Sequence, residues 1–280
     1  MLIGFHVSIQ DSIDRAVDRA VESGYNTFQI FTRSPRQWYS AKIAPEKAKA
    51  FSDKVKNRDI KPVFVHMPYL PNLASPKDEV YEKSVNTLAS ELERCKLLKI
   101  PYLVTHLGSH LGVGIQKGFT RVIDGINQAL DDTSGGVMLL LENTAGTRNS
   151  MGSTFEDVQY IIERIAHPEM VGICFDTSHA FAAGYDLRTG ETVEATIPNL
   201  NDVIGFEKLK LVHLNDSKGD FNSGIDRHEH IGLGKIGEEG FRNILAGKLG
   251  TLPLILETPI DPRRDDIGNL KKVKKLAAEL

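Results

Sequence analysis

Short runs of β-branched and aliphatic residues recur along the chain, separated by longer stretches in which apolar residues return every three or four positions. The short runs lie at Leu2–Val7, Thr27–Phe31, Pro62–His66, Tyr102–His106, Met138–Glu142, Gly172–Asp176, Leu209–His213 and Pro253–Glu257. They are near-continuously apolar, as in strands of a parallel sheet covered by helices. Between them, Ile13, Ala16, Val17, Ala20 and Val21 mark a first amphipathic helix. Val80, Val85, Leu88, Leu92 and Leu98 mark a long third one, and Phe155, Val158, Ile161, Ile162 and Ile165 a fifth. Ser153 or Thr154 supplies the fifth with an N-cap oxygen, with Glu156 or Asp157 behind it. Leu270, Val273, Leu276 and Ala277 mark the last helix. Eight strand–helix units in 280 residues predict an α/β fold, a (β/α)8 TIM barrel forming a single domain over residues 1–280. An open doubly wound sheet is the structural rival. No G-x-G-x-x-G follows the first strand and no Walker A sequence appears, which weakens its nucleotide-binding versions.

Composition adds boundaries. With 41% hydrophobic and 25% charged residues, the chain is neither disordered nor collagen-like. No apolar run approaches the ~20 residues that span a bilayer. The opening Met1–His6 lacks a basic segment and a cleavage site, so no secretory leader is read there. Cys95 and Cys174 form no C-x-x-C pair and read as reduced thiols of a cytoplasmic protein, with a disulfide left open. A net charge of −3 argues, by itself, against a nucleic-acid binder.

The polar residues change that picture. Six consecutive strands finish on a residue able to bind a divalent cation: His66, His106, Glu142, Asp176, His213 and Glu257. In a barrel these ends converge on the face that carries active sites. Two Glu and one Asp in one mouth are expected to repel and to raise one another's pKa, and a cation would remove that cost. Imidazole with carboxylate suits zinc, with iron or manganese as alternatives, and six donors fit a two-metal site if one carboxylate bridges. His179, three residues after Asp176, and the Asp226-x-His228 pair would suit a third metal. A single His at a strand end is more often a hydrogen-bonded core residue, and a single Asp often caps the next helix. Six in succession at equivalent positions are harder to explain that way. The bland reading stands for His167 in a surface loop, for His110 ordering the loop after the fourth strand, and for His230, which has no place among the nine. His6 could support the site from behind.

Several segments also carry a family resemblance. His66-Met67-Pro68-Tyr69-Leu70-Pro71-Asn72-Leu73-Ala74, Gly172-Ile173-Cys174-Phe175-Asp176-Thr177-Ser178-His179, and Val212-His213-Leu214-Asn215-Asp216-Ser217-Lys218 running on to Asp226-Arg227-His228 resemble the three signatures of endonuclease IV. Leu141-Glu142-Asn143-Thr144-Ala145-Gly146 and Leu256-Glu257-Thr258 supply two further matching contexts. These are the zinc-dependent family 2 apurinic/apyrimidinic endonucleases, and the likeness spans the whole chain. Pro71 stands where the family usually has Ile or Met, and Phe175 where an aliphatic residue is usual.

The resemblance implies a DNA-repair hydrolase that cuts the phosphodiester 5′ to abasic sites, leaving a 3′-hydroxyl and a 5′-deoxyribose phosphate, and that removes 3′ blocking groups. It implies three Zn2+ per chain. His66 and His106 would hold the first, with Glu142 bridging to the second; Asp176, His213 and Glu257 would complete the second; His179, Asp226 and His228 would hold the third. Glu142 would act catalytically with a metal-bridging hydroxide. Arg36, Tyr69 and Leu70 match the residues that wedge into DNA at the gap. The partner would be double-stranded DNA with abasic sites or 3′-blocked ends, no membrane is expected, and the chain would be a monomer. Three zinc ions would carry the net charge from −3 to +3, and Arg33, Arg36, Lys218 and Arg227 are candidates for phosphate contacts. Lys271, Lys272, Lys274 and Lys275 read as a solvated helix face. Two rivals remain: a sugar isomerase or epimerase of the related xylose-isomerase-like barrels, and a metal-stabilised binding scaffold.

Overall fold

The computed structural model describes residues 1–133 and 135–280. In chain order its elements begin β1 (Ile3–Phe5), α1 (Arg15–Glu22), β2 (Phe28–Ile30), α2 (Pro45–Asn57), β3 (Val63–His66), α3 (Asp78–Leu98), β4 (Tyr102–Thr105) and α4 (Ile115–Asp131). They continue β5 (Met138–Glu142), α5 (Phe155–Ile162), β6 (Val171–Asp176), α6 (Thr177–Ala182), α7 (Gly190–Val203) and β7 (Leu209–His213). The chain ends β8 (Asp216–Ser217), β9 (His228–Glu229), α8 (Gly237–Ala246), β10 (Leu254–Leu256) and α9 (Asp266–Ala278).

Eight strands form one sheet in the order β1-β10-β7-β6-β5-β4-β3-β2, with every neighbouring pair parallel. A parallel bridge between His6 and Gln29, with Val7 N–H donating to the Gln29 carbonyl at 2.7 Å, brings the two edges together. This is the expected (β/α)8 barrel. At this seam the backbones are close: a Cβ on Gly4 would stand 1.7 Å from the Thr27 carbonyl oxygen, so only glycine fits.

The expected strands all occur, shortened by one or two residues at some ends, while β6 starts one residue earlier than expected. Two features depart from a plain alternation. The unit after β6 holds two helices, because α6 starts directly on the strand's last residue and α7 begins afresh with Thr189. Thr189 and Thr192 form a reciprocal cap, with Thr192 N–H donating to Thr189 Oγ1 at 3.3 Å and Thr189 N–H to Thr192 Oγ1 at 3.1 Å. Outside the barrel, β8 and β9 pair antiparallel and draw the Asp226 loop back over the mouth. The cap on α5 is Thr154, whose Oγ1 accepts from Asp157 N–H at 3.1 Å.

The core has two parts. An extensive layer lies between strands and helices, built from residues such as Phe28, Phe51, Leu88, Val122, Phe155 and Phe241. Inside the barrel, Phe64, Val104, Leu140, Cys174, Leu211 and Ile255 form a separate apolar plug, one residue from each of six strands. Fully burying a large apolar side chain contributes about 1.5–3 kcal/mol, so this plug is a substantial part of the barrel's stability. Cys95 and Cys174 are both free and buried, in different parts of the core. Burial pushes the Cys174 thiol up to about 12 and Cys95 well above the ordinary thiol range. Among the described residues no helix is long and apolar enough to cross a membrane.

Candidate metal centre at the barrel mouth

Strand side chains alternate, so the residue two positions after an inward-facing one faces inward again, one layer higher. Above Phe64, Val104, Leu140, Cys174, Leu211 and Ile255 stand His66, His106, Glu142, Asp176, His213 and Glu257, in that order. The apolar plug is therefore the floor of a donor layer. His179 reaches the same mouth from the first turn of α6, and Asp226 and His228 reach it from the segment that ends in β9. All nine residues gather around this mouth, where a cavity of about 390 Å³ opens among His6, Phe31, His106, His179, His228 and Glu257. A larger cavity of about 710 Å³ lies among Phe51, Ile60, Pro62, Leu98, Ile100 and Tyr102 and contains none of the nine.

Glu142 is fully buried, and its two carboxylate oxygens face different partners. Oε2 is 3.1 Å from His66 Nε2 and 3.6 Å from His106 Nε2. Oε1 is 3.0 Å from His213 Nδ1 and 3.4 Å from His179 Nδ1. His213 Nδ1 also lies 3.3 Å from Glu257 Oε2 and 3.9 Å from Asp176 Oδ2. His179 Nε2 is 3.2 Å from Asp226 Oδ1, and His228 Nε2 is 3.7 Å from Asp176 Oδ2 and 3.9 Å from Asp226 Oδ1. Asp176 divides its labour: Oδ1 accepts from His179 N–H at 2.8 Å and caps α6, while Oδ2 faces the site.

Three of the rings are oriented from behind by backbone carbonyls. His66 Nδ1 contacts Met67 O at 2.7 Å, His179 Nδ1 contacts Asn143 O at 3.0 Å, and His228 Nδ1 contacts Glu257 O at 3.1 Å. A carbonyl only accepts, so each of these nitrogens carries a proton and leaves Nε2 to the mouth. This is how metal-ligating histidines are commonly held.

The electrostatics differ from the sequence expectation that the carboxylates would raise one another's pKa. Burial does push Glu142 upward, but His106, His213 and His179 beside it bring the carboxyl well below the usual range. Glu257 is likewise lowered, against its burial, by His213, His6 and His66. Asp226 falls to about 2 because His179 hydrogen-bonds it. Conversely, burial opposes a charge on His179 and His213, yet Asp176, Asp226 and Glu142 raise the first, and Cys174, Glu257 and Glu142 the second, well above the ordinary imidazole value. Interleaving makes the difference: the carboxylates face imidazoles rather than one another.

These donors fit divalent cations. With bonds of about 2.0–2.2 Å, two ligands on one tetrahedral cation stand roughly 3.3–3.6 Å apart, close to the spacings above. Among the described residues four sets have their ligand atoms within 4.8 Å of one another: His66, His106 and Glu142; Glu142, Asp176, His213 and Glu257; Asp176, His179 and His228; and Glu142, Cys174 and His213. The third holds Asp176 in place of the expected Asp226, whose Oδ1 stands 3.2 Å from His179 Nε2 and 3.9 Å from His228 Nε2. His228 Nε2 is buried with no hydrogen-bond partner among the described residues, an orphan that a cation would satisfy.

The other sequence candidates fall as follows. Tyr69 and Leu70 are exposed at 62% and 37%, and Arg36 is exposed on the neighbouring loop. Tyr69 N–H donates to Pro35 O at 3.0 Å, which joins the two loops at the rim. Arg33, expected to be available to phosphates, is instead buried against Glu91 and donates to Ser90 Oγ at 2.9 Å. Lys218 and Arg227 are exposed. His110 does order its loop, with Nδ1 accepting from Gly112 and Gly114 N–H at 3.2 Å each. His230, unplaced by sequence, is fully buried between Asp261 and Asn269. Phe175 packs beside Phe155 outside the barrel, with ring centroids 6.2 Å apart.

Sequence reasoning missed three buried amides. Asn143 Oδ1 accepts from Asp176 N–H at 2.7 Å. Asn215 Nδ2 donates to Asp176 Oδ2 at 2.7 Å, while its Oδ1 accepts from Glu257 N–H at 2.8 Å. Gln29 reaches His213 and Glu257 from β2. The available signal was an amide one or two residues beyond a donor, or inside an otherwise apolar strand.

Residues 17–278 match the family model described as a xylose isomerase-like TIM barrel. The protein named Probable endonuclease 4 from Methanoculleus marisnigri is 57% identical over 279 residues, covering 99% of each chain. The crystal structure of endonuclease IV from Thermus thermophilus superposes with a TM-score of 0.89 at 35% identity, covering 100% of each chain. A D-tagatose 3-epimerase-like protein shares the fold, with a TM-score of 0.74 at 21% identity over 100% of this chain and 99% of its own.

Proposed function

Since the chain belongs to the endonuclease IV family of xylose isomerase-like TIM barrels, we propose that it is a DNA-repair nuclease that hydrolyses the phosphodiester 5′ to abasic sites. The products would be a 3′-hydroxyl and a 5′-deoxyribose phosphate, and blocked 3′ ends would be removed at the same site. The observation that carries this reading is Glu142, whose two oxygens address separate histidine sets from full burial.

His66, His106 and one oxygen of Glu142 would hold a first zinc ion. The other Glu142 oxygen, with Asp176, His213 and Glu257, would hold a second, and His179, Asp226 and His228 a third. Zinc in such a site polarises a phosphodiester and makes a nucleophile available from water near neutral pH. Glu142 keeps the first two sets in fixed register and stays ionised despite burial. The carbonyls behind His66, His179 and His228 keep Nε2 free for the mouth. Asn143 holds the Asp176 backbone and Asn215 its carboxylate. At the rim, Arg36, Tyr69 and Leu70 would enter the gap left by a missing base, where the nucleotide unstacks at low cost.

The test is elemental analysis on the same sample used to cut an abasic duplex with and without chelator. Close to three zinc ions and chelator-sensitive incision are expected. One or two ions with activity on a ketose would favour an epimerase, and a chain that melts on chelation but cuts no DNA would favour a scaffold. Glu142→Ala should abolish incision while far-UV circular dichroism stays that of the folded barrel. Near-normal turnover in that variant would remove Glu142 from its assigned place.

A further inference from the structure

Gln29 sits in the middle of β2, between Phe28 and Ile30, and all three residues are fully buried. A buried amide without hydrogen bonds is costly, so an interior strand keeps one only where its bonds are met. Here they are met by two members of the donor layer. Gln29 Nε2 donates to Glu257 Oε1 at 2.8 Å, and Gln29 Oε1 lies 3.0 Å from His213 Nε2. The second amide hydrogen points toward His6 Nδ1 at 3.2 Å.

The orientation of this amide follows from its partners. An ionised carboxylate can only accept, so the nitrogen of Gln29 must face Glu257. The oxygen must then face His213, and an amide oxygen can only accept. His213 Nε2 is therefore the protonated nitrogen. With a cation bound, Nδ1 would then supply the lone pair; it is the atom 3.0 Å from Glu142 and 3.3 Å from Glu257. His66, His179 and His228 obtain the same service from backbone carbonyls; His213 obtains it from a side chain. Gln29 also lies at the barrel seam, where its carbonyl accepts from Val7 N–H, so its own position is fixed by the strands.

We infer that Gln29 is a positioning residue for the cation set containing His213 and Glu257. One amide selects the histidine tautomer and holds the carboxylate's rotation. This rests on the metal reading above, and the experiment separates the two. The probe is Zn2+ alone, titrated against a competing chelator into the full chain and into Gln29→Met, which keeps the shape and loses the hydrogen bonds. One of the zinc sites should weaken by about 10–100-fold in the variant, the usual effect of removing a partner behind a ligand. In the zinc-loaded wild type, nitrogen-15 NMR should find His213 protonated at Nε2 and ligating through Nδ1. Unchanged affinity at every site in a folded Gln29→Met, or a proton on His213 Nδ1 in the loaded wild type, overturns the inference while the metal reading stands. A wild-type chain that takes up no zinc overturns both. The tautomer measurement needs no variant, so it decides the matter even if Gln29→Met does not fold.

Discussion

Tyr69 shows how much a single side chain can carry at the rim. Its ring stands edge-on to Phe31, with centroids 5.2 Å apart, yet the residue is 62% exposed. A large aromatic side chain left that open, on a backbone tied to the Arg36 loop, is not packing a core. Stacking or wedging of an aromatic residue on nucleic acid is worth about 1–3 kcal/mol by alanine substitution. Under the proposed function, Tyr69→Ala should therefore weaken binding to an abasic duplex by roughly 5–150-fold, a range that follows from that energy. Zinc content should be unchanged, because none of the nine donors depends on this ring. Fluorescence anisotropy with an abasic and an intact duplex, alongside elemental analysis, checks both halves. Equal loss on the two duplexes would mean that Tyr69 contributes only general contact area.

At the scale of elements, the loop after β2 is held by a buried ionic group rather than by apolar packing. Glu91 of α3 is fully buried and accepts from Thr32 Oγ1 at 2.6 Å and from the Arg33 guanidinium, while Arg94 donates from Nε to Thr32 Oγ1 at 2.6 Å and from Nη1 to Ala41 O at 2.9 Å. The segment bearing Arg36 is thus fastened to α3 at both ends. Breaking a buried pair by removing one partner typically costs 3–5 kcal/mol. Glu91→Ala should lower unfolding stability by about that much in a guanidinium titration, and should raise KM for abasic DNA more than it lowers kcat. This group also marks where sequence reading stops. The eight strands and the donor at each of six strand ends were legible because strand periodicity and convergence at a barrel mouth are local or topological facts. Arg33 was not, since a basic residue in a loop reads as solvent-facing unless its partner, here 58 residues away, is known. His230 and Gln29 escaped for the same reason: their partners lie on other strands and loops. The pKa directions were misjudged because the order of carboxylates and imidazoles around the mouth is a property of the closed barrel.

The whole molecule poses an electrostatic problem to which the donor layer offers an answer. A chain of net charge −3 should be repelled by a polyanion, although Arg36, Lys218 and Arg227 are exposed. Three divalent ions would bring the total to +3 and concentrate the positive potential at one face. Binding to DNA should then depend on metal loading even where no bond is cut. Phosphate contacts from three such side chains predict a slope of log K against log salt of about −3, and removing Lys218 or Arg227 should reduce it by about one each. The same titration on chelated protein should give affinity far below that of the loaded form at low salt, where the Debye length reaches ~30 Å at 0.01 M and the lost charge is felt across the face. Because the apolar plug and the layer between strands and helices lie outside the donor layer, the chelated barrel should remain folded during that measurement. Equal DNA affinity with and without metal, in a chain shown by circular dichroism to be intact, would separate binding from the metal centre and leave the exposed side chains as its sole source.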